Sequence, residues 1–467
     1  MKNLNLQRFG SLLLIVAILF FGFPVHSRGA EAVQYLRIGL YYGETAKTSY
    51  TLTSATGFLL GSATNEGFSP TLPLPAYTEL TATIEGNYVA LRGNNGELVS
   101  SDIGINGCIY PLDDAAGAGM LLDAKAYRGG FIFKVSQSGK LNAINHVAMD
   151  EYLYGVIHKE MGQSNPLEAL KAQAVSARSF AALNTGRHSS EGFDLCGSTH
   201  CQVYDGKTAE YPSTIQAVNE TTGLIIYEGS EPVEVYYHKN SGGHTQNSAD
   251  VWSATTGYLS GKPDPYSPSL PWSMTMPFDV LKSKLDANGY NTGSIRSVRI
   301  GGRNSAGAVA SLIIDGANGV ITLEKEKIRA VLGTTLVRSR HFVIGNTYPD
   351  TKSTGSGTIA ITLTNDKTSS KAPTSVYVLS ATGKAILKPL TELYLSNGTK
   401  TMTPVILPSG NQVFDDSIPA TGGTLTLSGQ GWGHGVGMSQ DGAIAMAKMG
   451  FDFKQILNFY FTGIEVK

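Results

Sequence analysis

Glu160 stands where one helical pattern ends and another is about to begin, with Met161 after it and the turn Gly162-Gln163-Ser164 beyond. A carboxyl at such a junction can be offered to a groove as a general acid or base. The plainer expectation is a solvated glutamate beside Lys159. A second group is His188, Cys196, His200 and Cys201, four soft or borderline ligands close together in an irregular segment, which suits a tetrahedral zinc ion. A Cys196–Cys201 disulfide or free thiols are the alternatives. The third group is the run Gly429-Gln430-Gly431-Trp432-Gly433-His434-Gly435-Val436-Gly437, followed by Met438, Ser439 and Gln440. Alternating glycines let a ligand or another backbone come close. The run has no P-loop lysine and no following dinucleotide pattern, which argues against nucleotide binding; the other reading is a sharp structural crossing. The fourth is Tyr237-His238-Lys239-Asn240-Ser241-Gly242-Gly243-His244, whose histidines flank a glycine turn and suit metal or substrate, or simply the surface. There is no GxSxG elbow and no HExxH pair.

These residues need elements to hold them. Apolar residues at helical spacing from Val147 to Ile157 predict a helix that ends near Glu160. Asn165 as N-cap, Pro166 and Glu168 predict a second helix over Pro166–Leu183. Its alanines imply close contact with a neighbour. Tyr35–Tyr42, Tyr88–Leu91, Phe131–Val135, Val298–Gly301 and Ala310–Ile314 read as strands. Val203–Tyr237 reads as strands and turns. Leu281–Ala287, Leu323–Val331, Asp441–Met449 and Phe453–Phe459 read as helices. The fold class is α+β: strands dominate, and a few helices carry the candidate site.

Composition narrows the function. Lys+Arg 36 against Asp+Glu 37 gives a net charge of −1, with no basic footprint for nucleic acid. Only 16% of residues are charged and 54 are glycine, the profile of a turn-rich, β-heavy secreted protein. Three cysteines, an odd number, are too few for a disulfide scaffold; isolated Cys108 reads as a buried small apolar residue. Lys2 and Arg8, the apolar run Ser11–Phe23 and Pro24 form a secretory leader, with Val25 and Ser27 suited to cleavage before Arg28; the alternative is an uncleaved anchor. Either way the rest works outside the cytoplasm, at the cell wall or anchored through residues 1–27.

At the motifs themselves the chain resembles the family of stage II sporulation protein D and the amidase enhancer LytB. The matching stretches are NHVAMDEYLYGVIHKE (Asn145–Glu160), EMGQSNPLEALKAQAVSARSF from Glu160, HCQVYDG from His200 and GWGHGVGMSQDGAIAMA from Gly431, in the family's order. Agreement runs over 129–346 and 425–467 and is weak before residue 128. The layout expected is a leader (1–27), a β-rich N-terminal region (28–128), a core in two parts (129–346 and 421–467) and a β-rich insertion (347–420).

The resemblance implies a bacterial cell-wall protein. Its sporulation branch is a lytic transglycosylase on glycan strands stripped of peptide, and its catalytic acid maps onto Glu160. The family's helix arginine maps onto Arg178, and its zinc onto Cys196, His200 and Cys201, with His188 the looser fourth. Arg178, Tyr204, His238, His434 and Gln440 are the expected substrate-binding residues, with Trp432 as a stacking face; a structural ion pair is the other reading of Arg178. No organic cofactor is implied. The expected partners are peptidoglycan glycan strands and a cell-wall amidase. The enhancer branch implies a rival reading, a non-enzymatic glycan-binding protein that stimulates an amidase. One departure stands out: Lys239 and Asn240 follow His238 where the family often has small hydroxyl residues.

Overall fold

The computed structural model describes residues 34–114, 117, 119–252, 256–346, 348, 414, 416 and 419–467, with the backbone of six short strands between 361 and 404. The expected leader and the side chains of most of the expected insertion lie outside the described residues. The architecture is α+β.

Alternating burial builds the N-terminal strands: Tyr50 and Leu52, then Leu80 and Ala82, face inward while their neighbours face out. Two sheets result. One has seven strands in the order Leu195–Cys196, Tyr35–Tyr41, Leu141–Ala148, Gly130–Val135, Gly107–Pro111, Phe58–Thr64, Gly67–Leu74. The other has six, from Lys125–Tyr127 to Leu98–Ser100. Tyr35–Tyr41 pairs antiparallel with Leu141–Ala148, so this sheet runs without a seam across residue 129. Its other neighbour is Leu195–Cys196, paired parallel with Gly39 opposite Cys196. That edge fixes one of the candidate ligands.

Leu141–Ala148 leads directly into helix α1 (Met149–Met161), and α2 (Leu167–Leu183) packs against it. The close contact expected of the alanines is present: Ala169, Ala172, Ala174, Ala177 and Ala181 are fully buried. Asn165 does not cap α2, whose N-cap is Pro166. Its side-chain amide donates instead to the Met161 carbonyl, closing the exposed end of α1. A third helix, α3 (Pro212–Asn219), lies where strands and turns were expected; Pro212 at its first position was the local signal.

A second core lies beyond Pro271. It is built on the sheet Pro271–Pro277, Thr424–Gln430, Phe342–Ile344, a three-stranded meander over 295–324, and the helices Phe278–Ala287 and Lys327–Leu332. The helix expected over Leu323–Val331 is strand up to Glu324 and helix only from Lys327. Lys325, at φ +50°, makes the break between them. The helices Gln440–Lys448 and Phe453–Tyr460 return to the first core against α2.

Candidate active site

Glu160 is not the solvated glutamate of the plainer reading. Met149, Tyr152, Leu153, Val156 and Ile157 form the buried stripe of α1, and Glu160 is the next position on it. Lys159 points elsewhere, to Asp205 at 3.3 Å. The carboxylate accepts the Val203 N–H (3.4 Å) and is hydrogen-bonded by Gln440 and Tyr237. Tyr237's oxygen accepts Gln202 Nε2–H (3.0 Å), which leaves its own O–H for Glu160. Gln202 is fixed in turn, accepting from the Tyr152 hydroxyl (3.1 Å) and donating to the Ala177 carbonyl (3.3 Å). Burial pushes the Glu160 carboxyl above its ordinary range, and the three hydrogen bonds only partly oppose this. The result is a carboxyl that gives up its proton less readily than a solvated glutamate, yet has donors ready for its carboxylate.

The facing wall is made by two segments about two hundred residues apart in sequence. Tyr237–His238 pairs parallel with Met438–Ser439, Asn240 bridges Trp432, and Gln246 bridges Val436. The alternating glycines serve this crossing. A Cβ on Gly433 would stand 2.6 Å from the His238 Cβ, and one on Gly437, at φ +72°, 2.2 Å from the Tyr236 carbonyl. Thus the structural reading of the run describes its glycines, while its side chains face a cleft. We expect Gly437→Ala to lower the unfolding free energy by about 2–4 kcal/mol in denaturant melts. An unchanged midpoint would contradict the crossing as described.

The cleft, about 370 Å³, is lined by Glu160, Tyr237, His238, His434 and Gln440, with buried Arg329 and the exposed Trp432, Lys239, Thr199, Thr334 and Thr335. Glu160 is the only carboxyl among these lining residues. His238 donates from Nδ1 to the Val436 carbonyl (3.1 Å), so its buried, unpartnered Nε2 is a free acceptor. Burial takes its pKa down to about 4, and it is neutral. His434 accepts the Val436 N–H on Nδ1 (3.1 Å), and burial holds it neutral too. Lys239 is tied to Asp441 at 2.5 Å, so the departure noted above does not leave a bare cation in the cleft. Neutral acceptors, donors and an exposed indole suit a hydroxyl-rich ligand.

Of the expected substrate-binding residues, the structure brings His238, His434 and Gln440 to Glu160, and Trp432 with them. Arg178 and Tyr204 are not among them. Arg178 is 3% exposed, pairs with Asp150 at 2.8 Å and donates to the Val218 and Leu224 carbonyls. It is a buried tie between α1, α2 and the end of α3. Tyr204 is buried against Gly155 and donates to Asn145 at 2.8 Å. Removing Arg178 (Arg178→Met) should cost about 3–5 kcal/mol in chemical unfolding, because it strands Asp150 and two carbonyls; an unperturbed fold would show the pair to be dispensable. Tyr237 stands in the fourth candidate motif but was given no role of its own, and Arg329 went unnoticed in the sequence. Tyr237 had a signal, adjacency to His238; Arg329, within an ordinary amphipathic helix, had none.

The His188, Cys196, His200 and Cys201 ligand atoms lie within 4.8 Å of one another and can hold a metal ion. The N···N separation of the two histidines is 3.2 Å, and the S···N separations are 3.5, 3.5 and 3.7 Å. A tetrahedral ion with zinc's bond lengths needs about 3.4 Å and about 3.6 Å, respectively. Cys196 and Cys201 are unbridged, and the Cys201 thiol, hydrogen-bonded to Cys196, holds the Cys196 thiol below the ordinary thiol range. Cys108 is fully buried among apolar side chains, in the cluster that also takes in Cys196, and is not one of the four grouped ligands. The cluster adjoins the cleft: His200 follows Thr199 of the lining, and two residues past Cys201 comes the Val203 N–H that Glu160 accepts.

This geometry defines an α+β protein with a one-carboxyl cleft beside a Cys/His cluster. Residues 137–227, which hold Glu160 and all four Cys/His residues, match the family model described as Stage II sporulation protein, SpoIID. The match takes in three of the four motifs from which the resemblance was read, those from Asn145, Glu160 and His200. It is 24% identical over 395 residues to an uncharacterized protein of Brachyspira hyodysenteriae, covering 83% of this chain and 84% of that one. It is 29% identical over 312 residues to the amidase enhancer of Bacillus subtilis, 67% of this chain but 39% of the relative. Against the Bacillus subtilis stage II sporulation protein D it is 23% identical over 340 residues, 69% of this chain and 76% of the relative.

Proposed function

We propose that this chain is a peptidoglycan lytic transglycosylase that cleaves the bond between N-acetylmuramic acid and N-acetylglucosamine in peptide-stripped glycan strands, with Glu160 as its acid and base. The observation that carries the reading is the cleft with one carboxyl. Glycosidases commonly need two, one to protonate the leaving oxygen and one to act as nucleophile or base. Here a single group serves in turn. Protonated Glu160 gives its proton to the glycosidic oxygen as the bond from that oxygen to the muramyl anomeric carbon breaks. The carboxylate left behind takes the proton of the same sugar's 6-hydroxyl, whose oxygen closes on the anomeric carbon. The product is a 1,6-anhydromuramyl end, Glu160 is again protonated, and no water is consumed. Val203, Gln440 and Tyr237 stabilise the carboxylate between the two transfers. His238 and His434 lie where they can meet sugar hydroxyls.

The donor set of the Cys/His cluster, two imidazoles and two thiols, favours zinc. Zinc would supply a closed structural crosslink, with every position taken by protein. His188, Cys196, His200 and Cys201 would then pin the loop that brings Thr199 to the cleft and the Val203 N–H to Glu160. The chain would act outside the cytoplasm, in sporulation or in remodelling of the cell wall.

Similarity to an amidase enhancer favours a second reading, in which the cleft holds glycan without cutting it and the chain assists an amidase. Purified protein incubated alone with peptide-free strands separates the two. New saccharide ends are expected on the first reading. No new ends, together with a faster amidase when one is added, would transfer the assignment to the second.

A further inference from the structure

We infer that Arg338, stacked on Trp432 at the mouth of the cleft, forms a subsite for a sugar-borne carboxylate, the free lactyl carboxylate of a peptide-stripped muramyl residue. The inference rests on the proposal that the cleft takes glycan. Its basis is a mismatch of charge. The cations that line the cleft are already answered: Lys239 by Asp441, and Arg329 by Glu326 and the Val337 carbonyl. Arg338, half-buried beside them, has no ion pair and no side-chain hydrogen bond among the described residues. What holds it is the indole: its guanidinium carbon lies 4.6 Å from the Trp432 ring centroid. Its backbone is fixed as well, because the Arg338 carbonyl accepts the Gly433 N–H at 2.8 Å. This anchors it to the loop that carries His434.

A guanidinium stacked in this way keeps its in-plane N–H groups free for a planar anion, which is the geometry of bidentate carboxylate recognition. Trp432 is 39% exposed and lines the cleft, so it offers an apolar face of the kind on which a pyranose ring stacks. A ligand that satisfies both groups is a sugar ring with a carboxylate on a short arm. In a glycan strand that is the muramyl lactyl ether once its peptide is gone. While the peptide is attached, the same carbonyl is a neutral amide with a bulky substituent, which the guanidinium would bind less well. The pair thus gives a physical reason for preferring stripped strands over peptide-bearing ones.

The test is binding, kept separate from turnover by working in the full-length Glu160→Gln protein. Two probes are compared: peptide-free glycan strands, and the same strands with their lactyl carboxylates converted to methylamides. The acid form should bind about tenfold more tightly at low salt, and the advantage should shrink as salt rises. Adding Arg338→Gln should remove that advantage, weakening the acid form about tenfold and leaving the amide form unchanged. Arg338→Lys should restore only part of it, because a point charge cannot bind bidentately. Equal binding of both forms by the parent, or an equal loss on both in Arg338→Gln, would overturn the subsite while leaving glycan binding and cleavage intact. Failure of both forms to bind would overturn the subsite and the glycan reading together.

Discussion

Glu160→Gln should reduce glycan cleavage by about 10³–10⁴-fold, since one general acid or base contributes about 10²–10⁴ and this group performs both transfers. Glutamine keeps the shape of the side chain and can still accept the Val203 N–H, so the fold should survive. It should even gain. Burial raises the Glu160 carboxyl in the folded state, so the folded protein binds more protons here than the unfolded chain does. The stability this group contributes is fully present below its unfolded value and is lost as pH rises through its folded one. At neutral pH the buried carboxylate is therefore a cost, and glutamine removes it. The melting temperature of Glu160→Gln should lie above the parent's at pH 7. The gap should close as pH falls to about 4, the unfolded carboxyl range. A variant that is less stable at pH 7 would mean that the carboxylate is held by a tie absent from this account.

Cys196→Ser, or stripping the metal with a chelator, should cost about 5 kcal/mol or more of stability and lower the melting temperature by about 10 °C or more. Cys196 is buried at the edge of the seven-stranded sheet, His188 is packed on Tyr42 and Phe193, and His200 and Cys201 lie on the more open loop after Cys196. Cleavage should fall with stability, because the loop they hold supplies Thr199 to the cleft and the Val203 N–H to Glu160. Readded zinc should restore both in the stripped parent and neither in Cys196→Ser. Bound metal is counted by elemental analysis, with one equivalent per chain expected. If activity were lost while the melting temperature held, the ion would belong to the chemistry rather than to the loop.

Local signals in the sequence were good guides where the structure is local. The helix ending at Glu160, the alanine-rich helix after it and the Cys/His cluster are each contained in a short span, and each lies where its pattern pointed. The inward face of Glu160 ran against the plainer expectation of a solvated glutamate, although it continues the 3-and-4 spacing of Tyr152, Leu153, Val156 and Ile157. Misreadings came from contacts that sequence proximity does not encode. Asn165 looked like a helix cap, and the nearest unsatisfied backbone group turned out to be the Met161 carbonyl behind it. Arg178 had two readings, a substrate-binding residue or a structural ion pair, and its partner Asp150, on another helix, was not legible. The glycine run had two readings. Only the pairing of Tyr237–His238 with Met438–Ser439, across two hundred residues, shows that its glycines fit a backbone crossing while its histidine faces the cleft. Arg329, Thr334 and Thr335 reach the cleft from the second core, and no periodicity could announce that.

The central claim is that one carboxyl cuts the strand without water, and the direct measurement is the mass of the new ends made in oxygen-18 water. Peptide-free glycan strands would be digested with the purified chain and the products read by mass spectrometry. Muramyl ends one water lighter than a reducing sugar are expected, with no oxygen-18 incorporated, and none of them made by Glu160→Gln. Reducing ends carrying oxygen-18 would contradict it: water would then be the nucleophile, and a second carboxyl would have to reach the cleft.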